Sequence, residues 1–161
     1  MVNELSEISN EMGWGYSVID DVELQLRGII IQLHEKSEPL SILVNANGKL
    51  TNLLYLVDKD DDRLDYSLNS IKTQFAPVEI HITIVKLLRY IKKKYISDLE
   101  VTDEGSYWEK GDTDLLAEKI NFINDRINSI AGLISSIPNS GNETPESLAD
   151  KIEQYLKDKF D

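Results

Sequence analysis

The chain has 161 residues, 41% hydrophobic and 29% charged, the balance of a globular domain long enough to bury its own core. It contains no cysteine, which excludes thiolate catalysis, thiolate metal sites and disulfides. Its formal net charge of −12 argues against a DNA or RNA partner, because affinity for nucleic acid rests on clustered cations.

The opening MVNELSEISNEMG is acidic and lacks the apolar stretch of a secretory signal. No apolar run approaches the roughly 20 residues of a membrane span. We therefore expect no membrane partner and a place in the cytoplasm. Residues 1–13 are expected to form a short, mobile helical arm, interrupted by Gly13-Trp14-Gly15-Tyr16. Asp20 or Asp21 then offers an N-cap, and Val22, Leu26, Ile29, Ile30 and Leu33 recur at helical spacing. Val22, Leu24, Leu26 and then Ile29, Ile31, Leu33 also alternate as in strands, but the length and the cap favour a helix.

Pro39 ends that element. Leu40–Val44 reads as a strand, Asn47-Gly48 as a hairpin turn, and 50–57 as the return strand. An acidic turn follows at 58–62. Leu64, Leu68, Ile71 and Phe75 fit a helical face, with a third strand from Leu64 as the rival. After Pro77, the residues Ile80, Ile84, Leu87, Leu88, Ile91 and Tyr95 mark a helix, with Lys92, Lys93 and Lys94 at its negative end. Leu99 to Val101 reads as a short strand. The longest helix is expected over 113–136, because Leu116, Ile120, Ile123, Ile127, Ile130 and Ile134 keep heptad spacing. We expect this seam to pack on the chain's own helices, at 78–95 and at the C-terminus. Thr144-Pro145 opens the last helix, striped by Leu148, Ile152, Tyr155, Leu156 and Phe160.

The segment DEGSYWEKGDTD, residues 103–114, combines Tyr107 and Trp108 with an acidic run. Between Asp98 and Glu118 there are eight acids and one base, Lys110. Aromatic anchors among carboxylates are the pattern of a binding surface. The plainer reading is that Asp112 or Thr113 caps the long helix while Trp108 plugs the core edge. Asp58, Asp60 and Asp62 imitate a calcium loop, but Arg63 replaces its turn glycine and Asn69 its bidentate glutamate. His34 and His81, the only histidines, have no metal-ligand spacing. General acid–base work by His81 would need Glu79 or Glu104 beside it. Phosphate-loop, dinucleotide and nucleophile-elbow motifs are missing. Lys86, Arg89, Lys92, Lys93 and Lys94 form the one basic patch, read as a solvated helix face.

The segment LEVTDEGSYWEKGD, residues 99–112, resembles a bacterial family that carries a strand, an Asp-Glu-Gly turn, an aromatic pair and an acid. Trp14-Gly15-Tyr16 fits the same pattern. The resemblance implies no activity and no catalytic residue. It implies that Asp103, Glu104, Gly105, Tyr107 and Trp108 matter together.

These readings converge on one α+β domain over residues 1–161, with helices packed on a small, mainly antiparallel sheet. The leading expectation is a non-enzymatic acidic interaction module, of the immunity or antitoxin kind. It would bind a basic protein through Asp103, Glu104, Tyr107, Trp108 and Glu109, with no cofactor or metal. One alternative is a small hydrolase or metal-assisted enzyme using Asp103, Glu104 and His81. Another is a structural homo-oligomer joined through the isoleucine helix.

Overall fold

The computed structural model describes residues 1–53, 68–136 and 144–160. Among these, five helices accompany one four-stranded antiparallel sheet, an α+β fold. The elements are α1 (Val2–Met12), β1 (Gly15–Asp21), β2 (Leu26–Gln32), β3 (Leu40–Val44), β4 (Leu50–Thr51), α2 (Val78–Lys94), α3 (Tyr107–Lys110), α4 (Thr113–Ser136) and α5 (Pro145–Phe160). The chain groups into two compact units, Met1–Ala117 and Glu118–Asp161.

In the first unit the strands run in sequence order, each antiparallel to the next. Ile29 stands opposite Val18 on one side and Ile42 on the other. Ile29, Ile31, Leu33, Leu40 and Ile42 form one layer of the core. Leu5 from α1, Ile84, Leu87 and Ile91 from α2, and Leu99 complete it. Each such side chain contributes roughly 1.5–3 kcal/mol relative to exposure. Leu26 and Leu43, of the opposite strand parity, are also buried but outside that cluster.

The segment 22–33 is therefore not a helix. It holds the β1–β2 turn, where Leu24 N–H donates to Asp21 Oδ1 at 2.9 Å, and then β2. The physical reason lies at Gly28. Burial follows Leu26 on one parity and Ile29, Ile31 and Leu33 on the other, so both strand faces are apolar. The run then mimics a helical spacing. A Cβ on Gly28 would sit 2.0 Å from the Ile42 carbonyl oxygen, so only glycine permits this strand approach.

The N-terminal segment expected as an arm is α1, and its Leu5 and Ser9 are fully buried. It ends at Gly13, which is left-handed with φ 70°. Glu4 ties it to α2. The Lys94 ammonium donates to both Glu4 oxygens, at 2.6 and 2.7 Å, and the Tyr90 and Tyr95 hydroxyls donate to the same carboxylate. Those bonds, Lys94 first, hold the Glu4 carboxyl down to about 2, and Glu4 in turn raises Lys94 and Tyr95.

The Asn47-Gly48 hairpin forms as expected. Gly48 has φ 72°, and Asn45 N–H donates to Lys49 O at 2.9 Å. Its return strand is Leu50–Thr51, and residues 54–57 of the expected return lie outside the described residues. The acidic turn at 58–62 and most of the calcium-loop imitation lie outside the described residues. Residues 68–73 are not helical, and Leu68 and Phe75 are exposed, so the helical face over 64–75 does not form there. The 99–101 segment pairs with no described strand; Leu99 reaches the core from irregular backbone. The α2 stripe is as expected, with Ile84, Leu87 and Ile91 buried.

Helix α4 spans 113–136 as expected, begins in the first unit and continues through the second. Its seam is the principal correction. Leu116 is buried, but Ile123, Ile127, Ile130 and Ile134 are 39–44% exposed among the described residues. In α5, Ser147 N–H donates to the Thr144 hydroxyl at 3.3 Å, an N-cap. The Glu146 carboxyl is held below its usual range by its own N–H and by Thr144.

Candidate interaction site

The acidic loop is built around Asp103. Gly105 N–H donates to its Oδ1 and Trp108 N–H to its Oδ2, both at 2.8 Å. These bonds close a turn that passes through Ser106, left-handed at φ 62°, into the single turn of α3. Gly111, at φ 67°, ends that turn, and Asp112 caps α4 by accepting from Leu115 N–H at 3.0 Å.

His81 reaches the same carboxylate from α2. Its Nε2 lies 3.1 Å from Asp103 Oδ1, an ion-pair distance, although this buried nitrogen has no well-directed hydrogen bond. On the other side of the ring, Nδ1 shares a 2.8 Å hydrogen bond with the Thr73 hydroxyl. Burial pushes the Asp103 carboxyl up. The Trp108 N–H, the His81 imidazole and the Gly105 N–H together outweigh that and leave it below the usual carboxylate range. Gly105 fits because it lacks a side chain: a Cβ there would stand 2.5 Å from Leu116 Cδ1 and 3.2 Å from His81 Nε2.

Arg89 holds the other end. Its Nη2 donates to the carbonyls of Tyr107 at 3.0 Å and Trp108 at 2.6 Å. The guanidinium lies 5.8 Å from the Tyr107 ring centre and 5.6 Å from that of Trp108. Lys92 donates to Leu99 O, and Lys94 pairs with Glu4. The basic face is exposed at Lys86, Arg89, Lys93 and Lys94, as read, and three of its cations also bond within the chain.

The structure brings the expected residues together but turns them different ways. Asp103 and Tyr107 face inward, and both Asp103 oxygens bind backbone N–H groups. Tyr107, not Trp108, is the buried aromatic; Trp108 is half-buried. Asp98, Glu100, Glu104, Glu109, Asp112 and Asp114 are exposed. His81 and Asp103, paired in the hydrolase alternative, do meet. Their contact anchors a loop, since the carboxylate is committed and the imidazole side chain is only 15% exposed. Among the described residues no cluster of three or more His, Asp or Glu could hold a metal ion. Sequence reasoning missed Thr73 and the inward role of Arg89, which lies eighteen residues before Tyr107 with no local pattern linking them.

No family model matches the chain, the segment 99–112 included, and no curated protein or solved structure matches it either.

Proposed function

We propose that this protein is a non-enzymatic, acidic interaction module that binds a basic protein, in the manner of an immunity protein or antitoxin. The observation that carries this reading is Trp108. Its backbone is fixed on one side by Asp103 and on the other by Arg89, while the residue stays only partly buried in a loop whose other acids are exposed. A pre-fixed aromatic flanked by carboxylates loses little entropy on binding and attracts cations. Between Asp98 and Glu118 eight acids stand against one base, Lys110, so the loop segment itself carries a net negative charge.

The test is affinity capture of basic proteins from an extract of the native host on the full chain, repeated with Trp108→Ala and with Glu100→Lys/Glu109→Lys. The alanine variant keeps the backbone N–H and C=O bonds of residue 108 and removes the ring together with its contact to Arg89. A true partner should lose about 30-fold in affinity with Trp108→Ala, the scale of a hot-spot aromatic. It should also weaken as salt shortens the Debye length to about 8 Å and below. A bound protein whose affinity ignores salt and both variants would overturn the proposal.

A further inference from the structure

Helix α4 carries five residues of a heptad seam from Ile120 to Ile134 outside the core of the first unit, and four of them are 39–44% exposed. The helix cannot owe its stability to its composition. Asn121, Asn124, Asn128, Ser129, Gly132, Ser135 and Ser136 are all weak helix formers, crowded into sixteen residues. Helices of this kind hold through packing of the apolar face. The same sixteen residues contain only two charges, Asp125 and Arg126, which cancel, in a chain of net charge −12. Arg126 is folded back over the Phe122 ring at 5.2 Å.

We infer that this seam is the contact between two copies of the chain. Strict 4-3-4-3 spacing is complementary to a helix with the same repeat. Among the described helices, α2 has its stripe in the core, and α5 keeps that spacing only over Leu148, Ile152 and Tyr155. A second α4 is the surface of matching period and length. Its neutrality matters as much, because this is a stretch where two strongly acidic chains approach without bringing like charges together. In a twofold contact each isoleucine counts twice. The inference stands apart from the Trp108 site and does not depend on it.

Sedimentation equilibrium of the full chain from about 2 to 200 µM tests it, a window suited to a seam of about two heptads. The mass should rise from 18.3 kDa towards at least twice that value as concentration increases. Ile127→Asp should weaken association at least about tenfold, because it places a charge in the seam. Asn128→Asp adds the same charge to the same turn off the seam and should associate as the parent does. A monomer at about 200 µM, as α5 folding back over the seam would give, overturns the inference. So does an association that survives Ile127→Asp, or one that Asn128→Asp abolishes equally.

Discussion

Replacing Asp103 by alanine should loosen the first unit far more than removal of an exposed acid would. The carboxylate accepts from Gly105 N–H and Trp108 N–H, each at 2.8 Å, and faces His81 at 3.1 Å. A hydrogen bond to a charged group contributes about 1.5–3 kcal/mol, and the alanine variant leaves both donors unpaired. Relief from burying the charge offsets part of this, so the expected loss is about 3–4 kcal/mol. Asp103→Asn keeps one acceptor oxygen and should cost about half as much. Trp14 and Trp108 both lie in Met1–Ala117, so tryptophan fluorescence during urea unfolding follows this unit. With a urea dependence of about 2 kcal/mol/M, the alanine midpoint should fall by about 1.5–2 M. The carboxyl is lowered in the folded state, so its contribution is complete above the ordinary value of 3.8 and fades as pH falls through the lower folded value. The gap between parent and Asn variant should therefore close in strong acid. A loss under about 1 kcal/mol for Asp103→Ala, or equal losses for the two variants, would refute the view that this carboxylate holds the loop.

The Glu4 carboxyl, at about 2 against its ordinary 4.5, favours the folded state fully above 4.5 and loses that effect as pH falls towards 2; acid unfolding of Glu4→Gln, followed by fluorescence, should lack this part of the transition. Gly105→Ala should cost about 1–3 kcal/mol by overpacking against Leu116 Cδ1, and a double-mutant cycle with Leu116→Ala should show favourable coupling, since the shortened side chain vacates the clash. Gly28→Ala directs its methyl at the Ile42 carbonyl, a backbone atom with nowhere to go, so circular dichroism of the purified variant should show loss of the native sheet.

The sequence was most informative where one local rule acted alone. Asn47-Gly48 tolerates the backbone of its turn, Thr144 caps α5, Asp112 caps α4, and the stripe of α2 has only one face to bury. It misled where two burial demands overlapped. β2 packs apolar residues on both faces, so the alternation that marks a strand blurred into a helical spacing. The heptad spacing of α4 marks a face that needs a partner without saying which one, and among the described residues four of its isoleucines stay 39–44% exposed. At the candidate site, composition singled out the loop over residues 103–114. It could not reveal which side chains turn inward, since that depends on Thr73, His81 and Arg89 arriving from distant parts of the chain.

The Glu4 junction also sets an order of events during synthesis. The sheet strands and α1 are neighbours in sequence and can pack as they emerge, whereas the Glu4 carboxylate waits for Tyr90, Lys94 and Tyr95, some ninety positions later. At about 5–20 residues per second, the ribosome leaves the Glu4 carboxylate without these partners for roughly 5–20 seconds. An acidic helix face is well suited to that interval, because a carboxylate can remain in water without recruiting the wrong companion.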